Sequence, residues 1–413
     1  MEGGGGRGEV FFLQKWLAVA VQALPLVTGL IAAVGYFSSK TLLAAYPLLA
    51  VQIVLVAVTT RGAHRLFATF DKYGRALGAF GGMIGHIERR EFTGATLTAL
   101  RRMVAGGAGA SGGAGRALRQ LSSTVAATEV RLSPIPWLLA NLFLLWDLRC
   151  AIRFDRWKMR HGGDIRRWLD CIAQFEAISS FALLKFDHPS WVFPAIAGEA
   201  GGPGLCMRGA GHPLLDEGKS VANDFELGPP GGSAGIITGS NMSGKSTFLR
   251  TVGCNLVLAL AGAPVCAKRF ECRPMRLYTS MRGADDLMSN TSTFYAELLR
   301  VKMIVDAAVD PSPLLFLLDE LFRGTNSTDR HDGAVTLLGE LSRPHTLGLV
   351  STHDLDLCSL AQTNALFKNY HFEERYEGGA LQFDYLLKEG PSTTRNAMYL
   401  MRMVGIGVQK KGE

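Results

Sequence analysis

Paired cysteines are missing from this chain. Its seven cysteines, at 150, 171, 206, 254, 266, 272 and 358, form an odd set without CxxC spacing. That excludes a disulfide scaffold and a zinc ribbon and fits a reducing compartment. Charge is scarce as well: 19% of the 413 residues are charged and 48% are hydrophobic, which excludes disorder as the overall state and leaves apolar mass for two or three domains. Glycine is the reverse case, at 48 residues. Part of that surplus sits in Gly3 to Gly6 and in the run from Ala105 to Gly115, which read as a flexible tail and a linker.

Charge is absent altogether from Trp16 to Tyr36 and from Thr41 to Val58. Each stretch approaches or reaches the roughly 20 apolar residues that cross a bilayer as a helix. The four residues Phe37 to Lys40 between them predict an antiparallel transmembrane hairpin with both ends on one side. Arg7, Lys15, Arg61, Arg65, Lys72 and Arg75 flank the pair and only Lys40 lies in the turn, so that side is cytoplasmic and the protein is a multi-pass membrane protein. Pro25 and Pro47 are tolerable as kinks. The alternative is a cleaved signal peptide, but the first run is too long for a typical apolar core and no clear A-x-A site follows it. A third apolar run, Pro134 to Trp146, is only 13 residues and suggests a buried or interfacial helix.

Acidic residues are few between Arg61 and Asp170, where 18 Lys and Arg face 8 Asp and Glu. The net charge of +7 therefore belongs to this segment, and the rest of the chain is slightly acidic. Trp168, Cys171, Ile172 and Phe175 share one helical face, and the whole segment to about Leu184 reads as helical. Two partners suit its charge: the phosphates of double-stranded DNA, or anionic lipid just inside a membrane. Neither a zinc-finger spacing nor an aromatic-interleaved RNA motif occurs.

The strongest pattern lies further on. The apolar Ala234 to Thr238 leads into Gly239, Ser240, Asn241, Met242, Ser243, Gly244, Lys245, Ser246 and Thr247, and a helix-compatible run begins at Phe248. This strand, glycine loop and helix match GxxxxGK[ST], in which backbone N–H groups wrap phosphates, Lys245 reaches the β and γ oxygens and Ser246 offers its hydroxyl to Mg²⁺. About 70 residues on, Leu314 to Leu318 is a continuous apolar run, the mark of a strand buried on both faces, and it ends in Asp319 and Glu320. Asp319 suits a Mg²⁺ ligand, usually through water, and Glu320 the group that polarises the attacking water. His353 follows another apolar run, Leu347 to Val350, and at the carboxyl end of a neighbouring strand it would sense the γ-phosphate or that water.

These segments resemble, in order and at comparable spacing, the ATPase domain of the MutS DNA mismatch repair family. The residues are TGSNMSGKST at 238–247, Gly283 to Leu287, Ser292-Thr293-Phe294 with Glu297, DE with Arg323-Gly324-Thr325, and Ser351-Thr352-His353. Outside that core, His212 to Leu215, Val221 to Asp224, Glu176 to Ser180, and Gly390 to Ile406 resemble the family's flanking segments. The resemblance implies an α/β P-loop NTPase of the ABC type at 201–413, preceded by a basic α-helical lever domain at 61–200; the apolar runs add an N-terminal tail and two transmembrane helices at 1–60. It implies ATP and Mg²⁺ as cofactors, hydrolysis to ADP and phosphate, and a head-to-tail homodimer in which Ser292 completes the partner's nucleotide site.

The departures are specific. Asn290-Thr291 replace the family's Gly-Arg before the STF motif, and the aromatic that stacks on adenine falls near Ser220 or Val221 here. The segment from Asn326 to Asp332 is longer than in repair proteins and resembles a membrane-anchored offshoot of the family. There is no room before the lever for the domain that wedges a Phe into a mismatch, and no recognisable clamp insertion. Two readings compete with a DNA-linked membrane ATPase: a transporter subunit, which lacks its LSGGQ signature and enough membrane helices, and a slowly turning nucleotide-switched scaffold.

Overall fold

The computed structural model describes residues 15–36, 43–71, 74–106, 112–198, 204–216, 218–228, 233–240, 242–281, 293–322, 324–377 and 380–392. They form two compact units, Met1–Ser179 and Ser180–Glu413.

The first unit is all helical. Its elements are α1 (Lys15–Gly35), α2 (Ala45–Asp71), α3 (Gly74–Arg89), α4 (Ala95–Val104), α5 (Ala114–Thr128), a 3₁₀ turn (Glu129–Leu132), α6 (Pro134–Leu144), α7 (Trp146–His161) and α8 (Ile165–Asp187), which leads the chain into the second unit. One core holds it, built from Phe67, Ile84, Leu118, Leu121, Leu148, Phe154 and Trp168. The predicted face of α8 is found, with Trp168, Cys171 and Ile172 buried and Phe175 packed against them. Leu17 and Val21 of α1 are buried in the same core, so the base of the apolar hairpin and the basic helices are one packed body rather than consecutive segments.

Among the described residues a single unbroken helix reaches the length of a span, where a pair was expected. Leu17–Gly35 is long and apolar enough to cross a membrane, at 19 residues and a mean hydropathy of 2.2. The second apolar stretch, Ala45–Thr60, has 16 residues. That is about 24 Å of helix against roughly 30 Å of hydrocarbon. It stops because α2 continues without a break into Arg61, His64 and Arg65, whose charge ends the apolar run. Of the two readings of the third apolar run, buried or interfacial, the buried one does not hold: α6 buries only Asn141.

The second unit is α/β. Its elements are β1 (Ala195–Ile196), β2 (Leu205–Ala210), β3 (Asn223–Leu227), β4 (Ala234–Thr238), α9 (Lys245–Ala261), β5 (Arg269–Cys272), β6 (Arg276–Ser280), α10 (Thr293–Ala308), β7 (Leu314–Asp319), α11 (Ser327–Leu341), β8 (Thr346–Ser351), a 3₁₀ turn (Asp356–Ser359), α12 (Leu360–Thr363), β9 (Phe367–Glu377) and β10 (Ala380–Glu389). A four-stranded sheet runs β1-β5-β2-β3, and a six-stranded sheet runs β10-β9-β4-β8-β7-β6. Within the larger sheet all pairs are parallel except β10 with β9.

Continuous burial explains the central strands. Every residue of β4, β7 and β8 is buried, as expected when helices cover both faces of a parallel sheet. Gly348 in β8 is required by packing, because a Cβ there would stand 1.9 Å from Cζ of Phe316 on β7. The consequence for chemistry is the register. β4, β7 and β8 lie side by side, Ile237 opposite Ser351 and Asp319 opposite Ser351, so their carboxyl ends open at one edge of the sheet.

Candidate functional site

The loop after β4 turns tightly through left-handed backbone at Gly239 (φ 145°), Met242 (φ 70°) and Gly244 (φ 107°). Glycine is required at the first and third by this geometry, and Gly244 hands the chain directly to the first turn of α9. The N–H groups at the start of α9 thus point toward the loop's hollow, where anions are favoured. Lys245 is buried, and its Nζ donates to the carbonyls of Gly239 at 2.9 Å and Ser240 at 2.8 Å. Ser243 Oγ is buried inside the loop with no hydrogen-bond partner, a donor that a phosphate oxygen would satisfy. Asn241 lies outside the described residues.

At the end of β7, Ser246 Oγ donates to Asp319 Oδ1 at 2.9 Å, and Ser351 Oγ of β8 donates to the same oxygen. Asp319 is buried, so its carboxylate is oriented from two sides. Glu320 follows in left-handed backbone (φ 52°), which swings it out of the strand. Its N–H is held by the carbonyl of Ser351 at 3.0 Å. Left-handed backbone at a non-glycine residue costs about 1–2 kcal/mol, a strain of the kind found at active sites. His353 Nε2 lies 2.9 Å from Glu320 Oε1 and 3.5 Å from Lys245 Nζ. A carboxylate, an imidazole and a cation thus converge at the ends of three adjacent strands.

The loop after Glu320 is fixed by the helix that follows the STF motif. Glu297 on α10 accepts the N–H of Phe322 at 2.7 Å, and the Phe294 and Phe322 rings meet edge to face. Gly324 lies under Phe294, where a Cβ would approach its Cβ to 2.9 Å. Ser292 lies outside the described residues.

A cleft of about 590 Å³ opens over the loop, lined by Ser240, Met242 to Phe248, Thr251 and Glu320 on one side and by Ala210, His212, Ser220, Val221 and Tyr385 on the other. Neither Ser220 nor Val221 is aromatic; the aromatic lining comes from the buried Phe248 and Phe372 and the exposed Tyr385. Its ring packs over Gly244, with Cδ1 at 3.2 Å from where a Cβ would be. Tyr385 itself has φ 53° and sits in the irregular stretch of β10 between Phe383 and Leu387. Asn223 pins that stretch, accepting from Leu387 N at 2.7 Å and donating to Tyr385 O at 3.0 Å. His212 accepts the N–H of Leu214 on Nδ1, and burial, with Arg250 nearby, lowers its pKa.

Sequence reasoning missed Tyr385, Ser351 as a partner of Asp319, and His212 as a cleft residue. His212 and Ser351 stood in quoted motifs, but no spacing signals Tyr385, which is carried to the cleft by the antiparallel return of β10.

The donor set fits a magnesium nucleotide. No cluster of three or more His, Cys, Asp or Glu that could hold a metal alone occurs among the described residues. Hard oxygens from Ser246 and Asp319 beside a phosphate cradle are the donors that Mg²⁺ takes when it shares its shell with water and phosphate. When bound, the metal would neutralise phosphate charge.

Fold and site together define a P-loop ATPase-type domain. The family model for MutS domain V matches residues 235–409. The chain is 29% identical over 285 residues to the DNA mismatch repair protein MutS 2 of Haloarcula marismortui, covering 64% of this chain and 29% of that protein. It is 32% identical over 242 residues to the protein of the same name from Halobacterium salinarum, covering 57% and 27%. With the DNA mismatch repair protein MutS of Methanococcoides burtonii it shares 28% over 253 residues, covering 60% and 28%. The likeness to MutS domain V covers residues 235–409, less than half of this chain. The match spans less than a third of the length of each of these relatives.

Proposed function

We propose that this chain binds MgATP in the cleft over Gly239 to Thr247 and hydrolyses it to ADP and phosphate. The observation that carries the reading is the convergence of Lys245, Glu320 and His353 at the mouth of the phosphate loop. In this reading the loop N–H groups, Ser243 and Lys245 hold the phosphates, and Ser246 and Asp319 hold Mg²⁺. Glu320 accepts a proton from the attacking water, and His353 orients that carboxylate and meets the γ-phosphate. Tyr385 offers its ring to the base.

The finer assignments rest on the family and on charge. The domain works as a head-to-tail dimer in which Ser292 reaches the partner's nucleotide, and the helical unit acts as its lever. The Lys15–Gly35 helix anchors the chain in a membrane with the ATPase domain on the cytoplasmic side; its outward-facing Leu26, Leu30 and Val34 support this. The basic segment at 61–170 binds double-stranded DNA through its phosphates, as the names of the relatives suggest.

Lys245→Ala tests the core of the proposal. Loss of the cation should abolish ATP binding measured by titration calorimetry, and unchanged affinity would remove the phosphate-loop assignment.

A further inference from the structure

Helix α6 is built inside out. No charged residue occurs from Leu132 to Trp146. Its exposed face carries Ile135 (74% exposed), Leu138, Leu139 and Phe143, while its one buried residue is the polar Asn141. Water disfavours that arrangement, and hydrocarbon favours it.

The helix is also stopped and turned by design of its sequence. Leu145 adopts left-handed backbone (φ 51°, ψ 45°), and α7 departs at 76° to α6. A polar cluster pins the corner on its inner side. Asn141 Oδ1 accepts the N–H of Asp147 at 3.0 Å, and Trp137 Nε1 donates to Asp147 Oδ2 at 3.0 Å. Arg131 Nε lies 3.4 Å from the same oxygen. Every polar group of the corner named here faces inward, and the apolar side chains face out.

What covers the outer face is indicated by its neighbours. Phe143 closes an apolar cavity of about 320 Å³ with Pro25, Thr28 and Gly29 of α1 and Tyr46, Leu49 and Gln52 of α2. There Gln52 donates to Thr28 at 2.8 Å, so the polar groups of α1 and α2 also satisfy each other inside. The exposed apolar surface of α6 thus adjoins that of the membrane helix. Past the corner, α7 buries its two acids, Asp147 and Asp155, and exposes Arg153, Arg156, Lys158 and Arg160. An apolar helix followed by one whose exposed charges are all cationic complements the hydrocarbon and the headgroups of an anionic bilayer.

We propose that α6 is a second membrane-immersed segment, which lies in the lipid beside α1 without crossing it and bends aside at Leu145, so that the exposed cations of α7 run along anionic headgroups. Eleven residues give about 16 Å, half the hydrocarbon thickness. The proposal rests on the reading that α1 anchors the chain.

The test places single nitroxide labels in the full chain, through Leu30→Cys on α1, Leu139→Cys on α6 and, as a water reference, Glu340→Cys on α11. Leu138→Cys is a second reporter should Leu139→Cys fold poorly, and signal from the native thiols is subtracted with labelled unsubstituted protein. In vesicles of phosphatidylcholine and phosphatidylglycerol, relaxation by oxygen is compared with relaxation by a water-soluble nickel chelate. Oxygen preference at 30 and at 138 or 139, with nickel preference at 340, is the expected result. Nickel preference on α6 with oxygen preference at 30 overturns the proposal and leaves the anchor standing. Nickel preference at 30 overturns both. Shielding of α6 from both relaxants with spin–spin broadening means that a second copy covers the face, and overturns it too.

Discussion

Replacing Glu320 with Gln should separate nucleotide binding from hydrolysis in the proposed site. The amide keeps the volume of the side chain and leaves the hydrogen bonds of Lys245 to Gly239 and Ser240, and of Ser246 to Asp319, untouched. What it removes is the carboxylate proposed as the base, which sits 2.9 Å from His353 and beside the phosphate loop. Loss of a positioned general base costs on the order of 10²-fold in rate. That corresponds to about 2.7 kcal/mol in the barrier. ATP affinity should change little, because every group assigned to the phosphates is retained. Phosphate release in a single turnover, together with ATP affinity from titration calorimetry, measures the two effects on one preparation. The trapped ATP state should also sediment as a dimer. Turnover at the unsubstituted rate would refute the assignment of Glu320. An equal loss of ATP affinity would show that the carboxylate organises the binding loop instead.

Three further expectations follow from the same unit. Tyr385→Ala should weaken ATP binding several-fold, since an aromatic contact contributes roughly 0.5–1.5 kcal/mol beyond area, while binding of inorganic triphosphate stays unchanged; equal losses for both ligands would place the ring away from the base. Gly348→Ala should destabilise the ATPase unit by about 1–3 kcal/mol or more in denaturant unfolding, because the added methyl meets the Phe316 ring within the sheet. His212 has its pKa lowered by burial, so the folded unit resists protonating it while the unfolded chain does not. Its contribution to stability is intact above the ordinary histidine pKa of about 6.5 and is lost as pH falls from there through the lower folded value. The His212→Asn variant should therefore show a flatter decline of midpoint between pH 7 and pH 5, and an unchanged slope would remove His212 as a cause.

The sequence by itself determined the elements whose geometry is local. The loop from Gly239 to Thr247 is contiguous, so its glycines, lysine and serine specify a cradle at a helix start wherever the strand before it is placed. The apolar run Leu314 to Leu318 ending in Asp319 and Glu320 is likewise a buried strand with acids at its tip, because continuous apolar character has one stable outcome in a covered parallel sheet. The cationic bias of 61–170 and the charge-free N-terminal stretches were legible as composition.

Tertiary structure decided what depends on register and on neighbours. Ser351 reaches Asp319 only because β8 lies directly beside β7, and Tyr385 walls the cleft only because β10 returns antiparallel through an irregular stretch held by Asn223. Among the described residues the second expected span comes out short for a related reason. Charge-free length counts residues, whereas α2 runs as one helix from Ala45 into the charged Arg61–Asp71 stretch, and its apolar part falls short of a bilayer. Apolar content alone also made α6 read as buried or interfacial, and which side of a helix faces out is fixed by packing. Here the buried Asp147 cluster draws the polar side of α6 inward and leaves its leucines outside.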